Sequence, residues 1–135
     1  ISPERFLGVS NRLVEARPIK GTRRRGQSPE QDRALAAELL ASRKDRNENL
    51  MIVELQKDEL APLCHDIEVP QLAALESYPN VHHLVSCIRG SLNPGKDALD
   101  LLQHCFPAAS ISGTPKQQVL NMIDELEASY ASAPC

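Results

Sequence analysis

The sequence has no tryptophan, and its other aromatic residues are only two phenylalanines and two tyrosines. Proteins that bind single-stranded nucleic acid use exposed aromatic rings as stacking platforms for the bases. Four scattered rings do not supply such a platform. The sequence also lacks any apolar stretch near the roughly 18 residues that a transmembrane helix requires. Both of these classes of protein are therefore excluded.

Catalytic signatures are also missing. There is no glycine-rich phosphate loop, no Gly-x-Ser-x-Gly turn and no His-Glu-x-x-His motif. The cysteines, Cys64, Cys87, Cys105 and Cys135, are too widely spaced for the close ligand pairs of a structural zinc site. A secreted disulfide scaffold would usually be denser in cysteine. We therefore predict an intracellular protein without enzymatic activity, metal, cofactor or small-molecule substrate.

Charge is distributed unevenly along the chain. Residues 1–44 contain ten Lys and Arg against five Asp and Glu, whereas residues 45–79 contain two against eight. Short basic runs in an arm of this kind contact nucleic-acid phosphates or nuclear-import receptors. The cations predicted to make such contacts are Lys20, Arg23, Arg24, Arg25 and Lys116. The alternative is a solvated arm without a partner.

Residues 1–27 are interpreted as an extended basic arm. They contain three glycines and two prolines, and they show no sustained periodicity. The arm carries an apolar patch that includes Phe6 and Leu7, and we predict that this patch docks on a protein partner. Because the chain begins with Ile1 rather than methionine, we expect it to be a fragment of a longer protein.

A helix is predicted to begin at Ser28. Ser28 is a favoured N-cap, Pro29 suits the first helical position, and Gln31 completes a capping box. Helical segments are predicted over residues 28–61. The sequence Ser28-Pro29 also matches a proline-directed phosphorylation pattern, so Ser28 is a candidate phosphorylation site.

The same region contains an uninterrupted apolar run, Leu50-Met51-Ile52-Val53. A run of this length fits a strand or a buried helical turn, and its polar surroundings favour the helix. If the four side chains cannot all be buried, they mark a groove for a partner. Leu50, Met51, Ile52 and Val53 are therefore predicted partner-binding residues, with burial in the core as the alternative.

Residues 62–79 are predicted to form a loop and a short helix, and residues 80–135 a three-helix domain. The apolar residues of its first helix share one helical face: Val81, Leu84, Val85 and Ile88. Gly90 supplies a left-handed stop. The second helix is predicted to begin near Asn93 and the third at Thr114, each with a cap followed by proline.

Three amphipathic helices joined by tight turns must bury their apolar stripes against one another. No segment is rich enough in strand signals to build a sheet. We therefore predict an all-α fold, a small helical bundle with a helix-turn-helix-like C-terminal half and an extended basic N-terminal arm.

Several motifs of the C-terminal half follow one another in a recognisable order. They are Leu84-Val85-Ser86-Cys87-Ile88-Arg89-Gly90, then Phe106-Pro107, then Thr114-Pro115-Lys116. Over residues 84–130 this order resembles the C-terminal winged-helix region of the large subunit of chromatin assembly factor 1. The resemblance implies a nuclear, chromatin-associated protein.

We therefore predict a helical protein–protein interaction module, a scaffold or adaptor subunit of a nuclear, chromatin-associated assembly whose partners are other protein subunits. The alternative is a helix-turn-helix or winged-helix-like DNA-binding domain whose arginine-rich arm contacts phosphates. Affinity for duplex DNA that falls steeply with salt would favour the alternative, because phosphate contacts release counterions.

Overall fold

The computed structural model describes residues 7–105, and these residues form a mixed α/β fold. Five strands make one antiparallel sheet, and three helices pack against it. Along the chain the elements are β1 (Leu7–Ser10), β2 (Leu13–Ala16), β3 (Ile19–Arg24), α1 (Pro29–Ala41), α2 (Arg43–Leu60), β4 (Cys64–Ser77), β5 (Val81–Leu92) and α3 (Ala98–Cys105). The predicted all-α fold is therefore wrong.

The central strand of the sheet is β5. It pairs with β4 along one edge and with β2 and β3 along the other, and β1 extends the sheet beyond β2. Because β5 has neighbours along both edges and is covered on both faces, consecutive side chains are buried, including Leu84, Val85, Cys87 and Ile88.

This burial explains why β5 was mistaken for the first helix of a three-helix domain. The apolar spacing of residues 81–88 fits a helical face, but a strand buried on both faces also gives a near-continuous apolar run. Gly90 does not end a helix. It lies within β5, where a Cβ atom would stand 3.1 Å from Cβ of Cys64.

The loop and short helix predicted for residues 62–79 are replaced by β4. Its register with β5 shifts between His65 and Glu68 and twice more before Ala74. Asp66 and Ala73 have positive φ angles of 53° and 47°. Such bulges break the period-two pattern of a strand, which explains why the sequence signal was weak.

The predicted extended arm also folds into the sheet. β1 and β2 form a hairpin around Asn11 and Arg12, whose φ angles of 51° and 66° suit a two-residue hairpin turn. Leu7 is 6% exposed and belongs to the hydrophobic core, so its side chain is not open to a partner. Phe6 lies outside the described residues.

The helix predicted from Ser28 is present as α1. The Ser28 hydroxyl accepts a hydrogen bond from the backbone N–H of Gln31 at 3.2 Å. α1 ends at Ala41, because Ser42 begins a new helix by accepting a hydrogen bond from the N–H of Asp45 at 3.2 Å. That helix, α2, continues through the apolar run of residues 50–53.

The hydrophobic core lies between one face of the sheet and the helices α2 and α3. Its members include Val14, Ala16, Val53, Leu60, Ile88, Leu92, Leu101 and Leu102.

α3 matches the predicted second helix of the C-terminal region but begins later, with the N–H of Asp100 bonded to Asp97 at 3.0 Å. The predicted third helix, from Thr114, lies outside the described residues. Within residues 7–105, none of the helices has the length and hydropathy that crossing a membrane requires.

Candidate active site

β3 contains a bulge beside α2. Its pairing with β5 sets two residues, Lys20 and Gly21, opposite the single residue Leu84. Gly21 has a φ of +110°, and a Cβ atom at this position would lie 3.0 Å from Leu39 Cδ1 and 3.1 Å from Asp45 Cβ. Glycine tolerates both this φ and the close approach. Bulges redirect neighbouring side chains and are frequent beside active sites.

Lys20 lies at a groove above α2. The remaining lining residues share one face of that helix at positions i, i+3, i+4 and i+7: Glu48, Met51, Ile52 and Leu55. The groove has a volume of about 350 Å³ and opens to solvent. Met51 is 72% exposed and Leu55 is 53% exposed. The groove therefore combines an apolar wall with one amine and one carboxylate.

The carboxylate of Glu48 is unengaged within residues 7–105, where it has neither a hydrogen bond nor an ion pair. By contrast, the strand that carries Lys20 is firmly attached to both helices. Arg23 Nε donates to Glu38 at 3.0 Å, and Nη1 lies 3.2 Å from Asp45. The hydrogen bond to Glu38 is the main reason that the pKa of Arg23 is raised above its usual value.

A second polar cluster joins the end of β3 to the first turn of α1, and we call it the Asp32 cluster. Asp32 accepts hydrogen bonds from Arg25 at 2.8 and 2.7 Å and from the N–H of Gly26 at 2.7 Å. These bonds, Arg25 first, hold the pKa of Asp32 well below its usual range. His82 is 2% exposed, with Nε2 3.0 Å from Asp32 and Nδ1 2.7 Å from the hydroxyl of Ser77.

The cations predicted to bind nucleic acid do not form one surface. Arg23 and Arg25 are engaged by carboxylates of the helices, and Arg24 is exposed at the end of β3. Lys20 lines the groove. Lys116 lies outside the described residues. The arginine-rich segment therefore attaches a strand to two helices.

The residues predicted to bind a partner are also separated. Val53 joins Leu7 in the hydrophobic core. Met51 and Ile52 line the groove, whereas Leu50, at 38% exposed, lies on α2 outside it. Phosphorylation of Ser28, which caps α1, stays a prediction.

Glu48 was missed by the sequence analysis. Its signal was present, because a helix through residues 48–55 places Glu48 on one face with Met51 and Ile52. Nothing local showed that Lys20 would lie over that face, since the approach depends on contacts of Gly21 with α1 and α2. Within residues 7–105, no group of three or more His, Cys, Asp or Glu side chains could hold a metal ion.

Comparison with known proteins gives the family. The family model of chorismate binding enzymes matches residues 1–131. Aminodeoxychorismate synthase component 1 of Salmonella typhimurium is 44% identical over 137 residues, which are 100% of this chain and 30% of that protein. Anthranilate synthase component 1 of Spirochaeta aurantia is 43% identical over 128 residues, covering 93% of this chain and 27% of that protein.

Solved structures agree. The menaquinone-specific isochorismate synthase of Escherichia coli matches 93% of this chain and 29% of its own with a TM-score of 0.66 and 26% identity. The chain thus spans less than a third of each of these three relatives.

These comparisons correct the functional predictions. The family consists of enzymes that bind a small molecule, so the predictions of no enzyme and no small-molecule substrate are wrong. The family match and the two synthases at 43–44% identity replace the nuclear scaffold and the DNA-binding domain, so both of these predictions are wrong. The resemblance to chromatin assembly factor 1 is wrong as well, because residues 81–92 form a strand. With a family match over residues 1–131, the chain belongs to the chorismate binding enzymes.

Proposed function

We propose that the protein containing this chain is an aminodeoxychorismate synthase and that the chain supplies one wall of its active site. The observation that supports this proposal is the groove in which Lys20 and Glu48 share an apolar wall. The 44% identity to the Salmonella aminodeoxychorismate synthase component supports this choice of product. Since the chain spans 30% of that relative, we expect other parts of the protein to close the groove.

The groove suits the chemistry of chorismate, a cyclohexadiene that carries two carboxylates, a hydroxyl and an enolpyruvyl ether. Ligand sites are mostly apolar with a few polar groups that fix orientation. Here the exposed side chains of Met51 and Leu55 offer a surface to the ring. The ammonium group of Lys20 is a suitable partner for a carboxylate, because such hydrogen bonds are charge-assisted.

The reaction replaces the hydroxyl of chorismate with an amino group. A C–N bond forms as ammonia attacks the ring system, a C–O bond breaks, and the hydroxyl leaves as water after taking up a proton. A protonated Glu48 can donate that proton as a general acid. The charge of Lys20 stabilises the carboxylates while electron density moves through the ring.

The Salmonella relative is a component 1, which implies a further component in that enzyme. We propose that this protein also works with a second component, which supplies the nitrogen. Ammonium salt should then replace the second component in an assay.

The test incubates the full-length protein with chorismate and ammonium chloride and identifies the products by chromatography and mass spectrometry. We expect aminodeoxychorismate, and we expect Lys20→Ala and Glu48→Gln to abolish most of its formation. Leu50→Ala is the control, because Leu50 lies on α2 outside the groove. Accumulation of anthranilate or isochorismate would contradict the proposed product, and absence of any turnover would contradict the proposed function.

A further inference from the structure

A buried polar network lies directly beneath the groove. Asn49 follows Glu48 on α2 and is fully buried. Its Nδ2 donates a hydrogen bond to the carbonyl of Leu84 at 3.2 Å and lies 3.5 Å from the carbonyl of Lys20, at the outer limit of a hydrogen bond. The hydroxyl of Ser86 donates to Asn49 Oδ1. One side chain thus contacts both β3 and β5.

The network continues into β4. The backbone N–H of Ala73 donates to Ser86 Oγ at 2.8 Å. Ala73 lies at an irregular point of β4, with a φ of 47°. The Asn49–Ser86 pair therefore joins α2 to three strands, and it does so at irregular points of β3 and β4.

The location of this network is informative because an amide is an unusual choice for such a place. The buried stripe of α2 consists of Asn49, Val53, Gln56 and Leu60. A buried amide without partners is destabilising, whereas apolar replacement of a whole network can be nearly neutral. Fully bonded buried networks instead define one arrangement of the elements that they join. Here the network connects the strand that carries Lys20 to the helix that carries Glu48.

The side-chain amide of Asn49 approaches the backbone of β3 at the bulge formed by Lys20 and Gly21. The carbonyl of Lys20 belongs to the bulge of β3, where the regular pairing of the ladder is interrupted. Asn49 Nδ2, on α2, approaches this carbonyl at 3.5 Å. The same helix presents Glu48 one residue earlier, so the network connects the backbone of the amine to that of the carboxylate.

We propose that Asn49 and Ser86 are positioning residues that hold Lys20 and Glu48 at a fixed separation across the groove. This inference rests on the proposed function, in which both groups contact chorismate. Displacement of such groups by about 1 Å can cost a hundredfold in rate, so the network acts on turnover more than on affinity.

The experiment compares Asn49→Ala, Ser86→Ala and Ser86→Thr in the full-length protein. We expect kcat to fall about tenfold or more in the two alanine variants with KM changed less than about threefold, because the loss concerns the transition state. Ser86→Thr keeps the hydroxyl and should recover most of kcat. In the two alanine variants, an apparent pKa in the pH profile of kcat/KM should also shift, because the distance between Lys20 and Glu48 changes.

Val53→Ala is the matched control, because Val53 belongs to the same buried stripe of α2 but not to the network. It should lose stability while keeping kcat, with all variants assayed at a temperature at which they are folded. Equal losses of kcat in Val53→Ala and Asn49→Ala would mean that the network is only structural, and so would an unchanged kcat in both network variants.

A second measurement separates failure of this inference from failure of the proposed function. The rate at which trinitrobenzenesulfonate labels Lys20, followed by peptide mass spectrometry, needs no turnover. We expect this rate to change in Asn49→Ala relative to that of Lys44, and not in Val53→Ala. If the wild-type protein is inactive towards chorismate, the proposed function fails, and an unchanged labelling rate overturns the inference independently.

Discussion

The two polar clusters at the ends of β3 differ in how far their carboxylates are satisfied. Asp32 receives hydrogen bonds from Arg25, Gly26 and His82. Glu48 receives none within residues 7–105 and stands beside an exposed apolar wall. A carboxylate that is already saturated stabilises the fold, whereas one that is left open beside a groove can bind a ligand or transfer a proton.

Residue types alone would have favoured the Asp32 cluster, rather than the groove, as the catalytic site. The Asp32 cluster contains the residue types of a hydrolase triad in hydrogen-bonding contact, although Ser77 contacts Nδ1 and Asp32 contacts Nε2 of His82, the reverse of the triad. His82, however, is 2% exposed, and Asp32 is held by Arg25. A reacting atom needs access to the nucleophile and base. Accessibility and unsatisfied charge therefore favour the groove over the Asp32 cluster as the functional site, although residue types favour the Asp32 cluster.

The largest expected effect is a loss of catalysis when the groove is changed, and it tests whether the groove or the Asp32 cluster is the catalytic site. Lys20→Met should lower kcat/KM about a hundredfold or more, while the free energy of unfolding stays within about 0.5 kcal/mol because the side chain is not a core residue. Asp32→Asn should show the reverse, with lower stability and nearly unchanged kcat/KM. Steady-state kinetics and urea unfolding check both. Loss of activity in Asp32→Asn without loss of stability would contradict the assignment.

The next effect concerns the bulge that places Lys20. Gly21→Ala forces a Cβ atom to 3.0 Å from Leu39 at a φ of +110°. We expect the variant to lose about 1–3 kcal/mol of stability and, because Lys20 moves, part of its activity. Gly95→Ala is the control, since Gly95 has a φ of +86° with nothing within 4 Å. It should lose stability through backbone strain but keep kcat. Equal activity in the two variants would show that the bulge does not place the amine.

A smaller effect is the pH dependence of stability in the Asp32 cluster. The pKa of Asp32 is lowered in the folded state, mainly by Arg25. Its contribution is complete above the unfolded value of about 3.9 and is lost as pH falls through the folded pKa. Between about pH 4 and pH 2, the free energy of unfolding should therefore fall more steeply in the wild type than in Asp32→Asn. Asp58→Asn, at an exposed position of α2, should follow the wild type.

The helices were the part of the fold that the sequence could predict. Capping depends on a few adjacent residues, so Ser28 and Gln31 identify the start of α1 without knowledge of the rest of the chain. Even here the second cap, Ser42, was missed, because it lies inside a continuous helical pattern and separates α1 from α2.

The sheet could not be read in the same way, because its pairings join distant segments. β5 pairs with β2 and β3, which precede it by more than fifty residues, and its Leu84, Val85 and Ile88 are buried whichever face they occupy. Burial of both faces removes the alternation that normally distinguishes a strand from a helix.

The candidate site depends both on a locally predictable helix and on long-range strand pairing. The face of α2 that carries Glu48 follows from helical periodicity, but the position of Lys20 follows from a bulge, whose only local signal is Gly21. The lysine was therefore grouped with Arg23 and Arg25 by charge, although those side chains bind the helices. Long-range packing therefore determines which member of a basic run lines the groove.

The smallest expected effect lies at the cap of α1, near the Asp32 cluster. Ser28→Ala removes the acceptor for the N–H of Gln31 and should lower the free energy of unfolding by about 1 kcal/mol without changing kcat. Asp32 attaches the same first turn to Gly26, so the two groups support one structure. The double variant Ser28→Ala/Asp32→Asn should therefore deviate from additivity, which urea unfolding of all four proteins can measure. Strict additivity would mean that the cap and the Asp32 cluster stabilise α1 independently, and a fall in kcat would mean that the start of α1 reaches the groove.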